Sequence, residues 1–264
     1  MTGGAVIRLE NVYLTIGGHQ LLKDISLEVD KGGTGVILGA SGSGKTTILR
    51  IVLGLFRPDS GRVFVGGEDI TALDEEGLYR VRSSMGMVFQ GGALFDSLTV
   101  GENVGYRLKE QGLMDDDAIE EKVRKSLRFV GLEDTVDLMP AELSGGMKKR
   151  VAIARGIASS PSVLLYDEPT AGLDPVNSYN VSRLIDRLRA EEGVTSVVVT
   201  HDLVTAFSVA TSVALIHEGE LVYVGGSEGL IGCADERARA FLLHTGIFTG
   251  RMESQAEAQA GAAR

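Results

Sequence analysis

Short, unbroken apolar runs punctuate the chain: Val36-Ile37-Leu38, Met87-Val88-Phe89, Val163-Leu164-Leu165-Tyr166 and Val197-Val198-Val199-Thr200. Runs of this length without polar alternation predict buried strands of an α/β sheet. Residues 5–30 behave differently, in short strand-like pieces: Val6, Leu9 and Val12, then Ile25-Ser26-Leu27-Glu28-Val29, an in-out strand. An antiparallel apron is predicted there, continued by Arg62-Val63-Phe64-Val65 after the turn Pro58-Asp59-Ser60-Gly61.

From about residue 91 to 160 the period becomes helical. Asp115-Asp116-Asp117 opens a helix with the apolar stripe Ile119, Val123, Leu127 and Val130, and the acidic triplet is read as a charged helix N-terminus rather than a metal site. Beyond 161 the α/β pattern returns. Val181, Leu184, Ile185 and Leu188 make one helix face, and strands at 212–217 and 221–224 form a hairpin around Glu218-Gly219-Glu220. Residues 235–248, with Ala238, Phe241, Leu242 and Thr245 on one side, either dock on a neighbouring subunit or cap their own core. The tail from Arg251 is rich in Ala, Gln and Glu without an apolar face, so it is expected to fray or to order on a partner.

Composition narrows the function classes. With 264 residues and 44% hydrophobic content the chain can bury a substantial core. A formal charge of −10 argues against broad contact with phosphate backbones, and no nucleic-acid partner is expected. The lone Cys233 permits neither an internal disulfide nor a multi-cysteine metal site, which fits a reducing compartment. No stretch approaches the ~18 apolar residues of a membrane span, and the first residues lack a basic region followed by an apolar one. A cytoplasmic protein that meets a membrane through a partner is expected.

Candidate chemistry begins with Gly39-Ala40-Ser41-Gly42-Ser43-Gly44-Lys45-Thr46, between the strand at 36–38 and an amphipathic segment at 46–53. Glycines let such a loop turn its N–H groups inward at a helix N-terminus, a nest for phosphate. Lys45 is placed to reach the β- and γ-phosphates, with Thr47 beside it, and the Thr46 hydroxyl to ligate Mg2+. Asp167 and Glu168 end the strand at 163–166, where open α/β sheets bind ligands. Asp167 is placed to hold Mg2+, and Glu168 to orient or deprotonate an attacking water. His201 ends the following strand and can address the γ-phosphate or that water, while His19, His217 and His244 read as packing or surface residues. Gln90 ends the strand at 87–89, where its amide can touch Mg2+ or water.

These motifs, with Leu143-Ser144-Gly145-Gly146-Met147 and Ala171-Gly172-Leu173-Asp174, resemble in identity and order the nucleotide-binding subunits of ABC transporters, over roughly residues 5–225. The resemblance implies a P-loop NTPase (RecA-like) core at about 5–90 and 161–225, including an antiparallel β subdomain. It also implies an inserted α-helical subdomain at about 91–160, an ATPase domain spanning 5–240, and a C-terminal extension at 241–264. It implies ATP and Mg2+ as ligands, with 39–46 as Walker A, Gln90 as the Q-loop, 163–168 as Walker B, Asp174 in the D-loop and His201 as the switch histidine. Ser144 and the backbone of Gly145 and Gly146, opening the helix at 147–158, would contact the γ-phosphate held by the opposite copy of a head-to-tail homodimer. A helix N-terminus suits an anion.

Two positions depart from the common family pattern. Ile16 stands before Gly17 where many members stack adenine on an aromatic residue, so the base is held by an aliphatic contact or by Tyr13 from elsewhere. Met147 replaces the frequent glutamine after the two glycines. With residues 90–100 and Lys148-Lys149-Arg150, it makes the chain similar to ATPases of Mla/Mce-type lipid-trafficking systems. That likeness implies phospholipid transport through integral membrane permease subunits and an Mce-type lipid-binding protein, with the chain peripheral on the cytoplasmic face of the inner membrane. The alternatives are an ATPase subunit for import of another small solute and a soluble ABC ATPase acting on nucleic acid.

Overall fold

A computed structural model describes residues 4–244. In chain order the first elements are β1 (Ala5–Ile16), β2 (His19–Asp30), β3 (Thr34–Leu38), α1 (Lys45–Val52), β4 (Ser60–Val65), β5 (Glu68–Asp69), α2 (Glu75–Ser83) and β6 (Met85–Val88). Three helices follow, α3 (Val100–Gln111), α4 (Asp116–Phe129) and α5 (Gly145–Ile157). The chain then alternates through β7 (Val163–Asp167), α6 (Pro175–Glu192), β8 (Thr195–Thr200), α7 (Leu203–Val209), β9 (Ser212–His217), β10 (Glu220–Gly225), α8 (Ser227–Ile231) and α9 (Glu236–His244).

The strands form two sheets. One is antiparallel in the order β2-β1-β4-β5, and the other runs β10-β9-β3-β8-β7-β6. In the larger sheet β3 pairs in parallel with β8 and β9, β7 pairs in parallel with β6 and β8, and β10 pairs antiparallel with β9. Alternation divides its residues between two cores. Ile37, Val163, Leu165, Val197 and Val199 join α1 and the antiparallel sheet on one side. Val36, Leu38, Leu164, Tyr166 and Val198 join the helices on the other. Both faces are covered, so the parallel strands read as continuous apolar runs rather than alternating ones.

The predicted apron is there, but as two twelve-residue strands rather than short pieces. Register shifts between Leu9 and Val12 interrupt the alternation at Asn11, which takes φ +46°, and Asp24 on the partner strand takes φ +53°; the Asn11 amide donates to the Asp24 carboxylate at 2.8 Å. A side chain at Gly35 would place its Cβ 2.4 Å from Val29 Cγ2, and that missing side chain lets β2 close onto β3.

Within 91–160, α3, α4 and α5 pack on one another, with Ile119, Val123, Leu127 and Val130 buried as their spacing predicted. Asp115 caps α4 through the Ala118 N–H, a helix-end role for the acidic triplet. The link from β6 to α3 is held by buried Asn103, whose amide donates to the carbonyls of Phe95, Leu98 and Thr99, and by Arg155, which donates to Gly92 and Ala93. In α9, Ala238 and Leu242 are buried in the chain's own core, and α9 packs on α8 and β10. Of the two readings of residues 235–248, capping of the chain's own core is thus observed for α9. Thr245, the rest of that segment and the tail from Arg251 lie outside the described residues.

Candidate active site

Parallel register brings the strand ends to one edge. Leu38 sits opposite Thr200, Asp167 opposite Val199, and Val88 opposite Tyr166, so Gly39, Glu168, His201 and Phe89 all leave the sheet on the same side. Their loops are therefore neighbours although they come from four distant stretches of chain.

Residues 39–44 wrap the start of α1. Gly42 and Gly44 hold φ +80° and +108°, and a Cβ at Gly39 would lie 2.5 Å from both the Ile216 carbonyl oxygen and Ser43 Oγ. Gly44 precedes α1 without a side-chain cap, leaving the first-turn N–H groups open toward the loop. Ser43 Oγ is buried with no hydrogen-bond partner. Lys45 is 6% exposed, and its ammonium donates to the carbonyls of Gly39 at 2.9 Å and Ala40 at 2.8 Å, with Glu168 Oε1 at 3.8 Å. Burial pulls the Lys45 pKa down, opposed by Glu168 and Asp167. Ser41 is exposed and Thr47 half-buried beside the loop.

The two acids play different structural parts. Asp167 accepts from the Thr46 hydroxyl at 3.0 Å; burial pushes its carboxyl pKa up, and that hydrogen bond opposes the rise. Glu168 takes the left-handed φ +48°, a conformation that costs a non-glycine residue on the order of 1 kcal/mol. Its N–H donates to Val199 O at 2.9 Å. Its carboxylate lies under the end of β8, accepting from the Thr200 hydroxyl at 3.1 Å and the His201 N–H at 3.4 Å, with His201 Nδ1 at 3.0 Å. Lys45, Thr46, Asp167, Glu168 and His201 thus form one connected cluster.

Other predicted residues lie apart from it. The Gln90 side chain is exposed, and among the described residues its amide makes no hydrogen bond to Thr46 or Asp167, so two of the three predicted magnesium residues are joined. Ser144 caps α5, accepting from the Met147 N–H at 3.2 Å, and is exposed, as is Gly145. Among the described residues no hydrogen bond or ion pair connects residues 144–146 to residues 39–47. Asp174 caps α6 through the Asn177 N–H, and Asn177 packs on Gly146, where a Cβ would meet its Oδ1 at 2.5 Å. Ile16 ends β1 half exposed, paired with His19, whereas Tyr13 pairs with Ser60 on the other neighbouring strand. A cleft of about 350 Å3 opens beside Glu168 and His201, lined also by Thr170, Gly172, Leu173 and Ser178. Val176, Tyr179 and Val204, on the segments adjoining it, are exposed.

Sequence reasoning missed Thr200 and Lys149. Thr200 Oγ1 donates to Glu168 and accepts from the Asp202 N–H. Lys149, 6% exposed, donates to the backbone carbonyls of Gln90 and Glu168. Its signal was a charged residue on the otherwise small or apolar stripe Gly146, Ile153 and Gly156.

The donor set fits a nucleoside triphosphate with a hard divalent cation. An uncapped helix start, an orphaned buried hydroxyl and a buried ammonium face the loop, and a hydroxyl paired to a carboxylate offers oxygen ligands. A loop of this kind on this sheet defines a P-loop nucleotide-hydrolysing protein. The sequence pattern of the ABC transporter family matches residues 22–171, and the chain belongs to that family: it is an ABC-type ATPase, the ATP-binding subunit of a transporter. It is 39% identical over 237 residues to the intermembrane phospholipid transport system ATP-binding protein MlaF of Escherichia coli (strain K12), covering 90% of this chain and 88% of that one. It is also 46% identical over 204 residues to the methionine import ATP-binding protein MetN of Rhizobium meliloti (strain 1021), covering 77% of this chain and 57% of that one. Among solved structures, the dimeric post-hydrolysis state of the ATP-binding cassette MJ0796 bound to ADP and Pi superposes with a TM-score of 0.76 at 33% identity, over 83% of this chain and 98% of that one.

Proposed function

We propose that the chain works as a homodimer that hydrolyses ATP to drive phospholipid movement through a membrane permease. The observation that carries the dimer is the separation of the two half-sites. Lys45, Thr46, Asp167, Glu168 and His201 cluster on one edge, while Ser144 stands exposed at the start of α5 with no bond to that cluster. Its Oγ already accepts from Met147, leaving the hydroxyl proton to donate outward to a phosphate oxygen held by a second copy. Exposed Val176, Tyr179 and Val204 supply apolar surface for that copy to cover.

In this reading residues 39–47 cradle the triphosphate, with Lys45 giving up carbonyl oxygens for phosphate oxygens, and Ile16 touches the base. Thr46 and Asp167, with Gln90, would hold Mg2+, which would supply charge neutralisation to the triphosphate when bound. Glu168 accepts a proton from the water that attacks the γ-phosphorus, and His201 holds the carboxylate and reaches toward the phosphate. Gly145 and Gly146 add backbone N–H groups at the helix start, and Asp174 fixes the turn beside them. Residues 5–240 form the ATPase domain, with 91–160 as its helical arm and Gln90 at the joint between them. Among the described residues no helix is long and apolar enough to cross a membrane. In this reading the chain is peripheral on the cytoplasmic face of the inner membrane, attached through the permease.

Phospholipid as cargo rests on the match to MlaF along nearly the whole of both chains, together with Met147. The higher identity to MetN over a shorter span favours a second reading, import of a small solute. Affinity purification of the full chain from detergent-solubilised membranes, with mass spectrometry of proteins and lipids, separates them. Permease subunits with an Mce-type protein and enriched phospholipid support the first reading. Turnover that responds to methionine and not to phospholipid overturns it in favour of the second.

A further inference from the structure

Lys149 lies on α5 five residues after Ser144, about 7.5 Å further along the helix axis. Its ammonium donates to the backbone carbonyl of Gln90 and, at 3.2 Å, to that of Glu168. Among the described residues no carboxylate oxygen lies within ion-pair distance of it, so its charge is balanced at longer range by Asp167 and Glu168, while burial pulls its pKa down. A buried ammonium held mainly by carbonyls is a costly choice where a methionine would fill the space. The three segments it joins are the helix that presents Ser144, the joint to the helical arm at Gln90, and the turn that aims Glu168.

We propose that Lys149 is a positioning residue that ties the Ser144 end of α5 to the backbone of Gln90 and Glu168. Capture of a phosphate by Ser144 in one site thereby sets the placement of Gln90 and Glu168 in the other. This rests on the head-to-tail dimer proposed above. The physical basis is a stiff helix with one end aimed at the partner's nucleotide and the next turn bonded to the groups that act on its own. An element shared by two sites couples them in proportion to how far each biases it.

The test uses the full-length protein with Mg-ATP in four forms: wild type, Lys149→Met, Ser144→Ala and the double variant, with Lys149→Arg as the conservative control. Lys149→Met is expected to lower kcat about tenfold with KM for ATP nearly unchanged, and to bring the Hill coefficient down toward 1. Lys149→Arg keeps the donors and restores kcat to within about threefold. The double variant is expected to be little worse than Ser144→Ala alone, because both act through one helix. Unchanged kcat and Hill coefficient in Lys149→Met, equal impairment of the Met and Arg variants, or an additive double variant each overturn the inference. Should Lys149→Met not fold, Lys149→Gln, which lacks both charge and reach, takes its place with the same expectations. Size exclusion of Glu168→Gln with saturating Mg-ATP separates the two failures. A monomer there sinks the dimer reading and this inference together, whereas a dimer with an additive cycle sinks the inference alone.

Discussion

Replacing Glu168 by glutamine should remove turnover while sparing the fold and nucleotide binding. Oε2 of Glu168 accepts from the Thr200 hydroxyl at 3.1 Å and the His201 N–H at 3.4 Å, and a glutamine carbonyl oxygen in the same place keeps both bonds. What disappears is the charge facing Lys45 Nζ at 3.8 Å. At an effective dielectric constant of 20 that attraction is about 4 kcal/mol, and its loss leaves the Lys45 ammonium buried with Asp167 and the loop carbonyls as its remaining partners. Net stability should therefore fall by roughly 3 kcal/mol, less than the stability of a typical folded domain. The chemical loss is larger in kind: an amide cannot take the proton of the attacking water, and a missing general base costs about 10²- to 10⁴-fold, or roughly 3 to 5 kcal/mol of barrier. The assay is phosphate release at saturating Mg-ATP, paired with calorimetric ATP titration and with size exclusion, where an ATP-bound dimer should accumulate. Phosphate release within about threefold of wild type, in a folded variant, would refute Glu168 as the base.

Lys45→Ala is expected to weaken ATP binding, measured by calorimetry, because it removes the cation buried against the loop carbonyls and Glu168. Leu127→Ala, at a fully buried position of α4, should cost about 2 to 5 kcal/mol, read as a lower urea midpoint at unchanged slope. Asp235→Asn probes pH dependence. Hydrogen bonds from Arg237 hold the Asp235 carboxyl down at about 2, below its ordinary 3.8. A carboxylate depressed in this way contributes stability that is fully present above pH 4 and is lost as pH falls from 4 toward 2. The melting-temperature gap between wild type and Asp235→Asn should thus be constant from pH 7 to 5 and narrow below pH 4.

Local chemistry made much of the protein legible in one dimension. Residues 39–46 carry their function in residue type and spacing, and the runs at 36–38, 163–166 and 197–200 announce strands buried on both faces. The stripe on α4 and the caps at Asp115 and Ser144 follow the same local logic. Where the backbone broke its own period, the reading faltered. Bulges at Asn11 and Asp24 disguised two long strands as fragments. Helix α2, with Asp74 as cap and only Gly77, Leu78 and Val81 buried, has too narrow an apolar face to stand out.

What the sequence alone determined is the set of reacting groups and the strands and helices that bear them, because phosphate loops, caps and buried runs are properties of neighbouring residues. Only the tertiary structure decided that four strand ends meet at one edge, that Glu168 lies under Thr200 and His201, and that Ser144 is exposed and bonded to Met147 rather than to residues 39–47 of its own chain. Strand order and the bonds of Lys149 depend on contacts between residues dozens of positions apart, and no local pattern encodes which distant backbone carbonyl a buried ammonium will find.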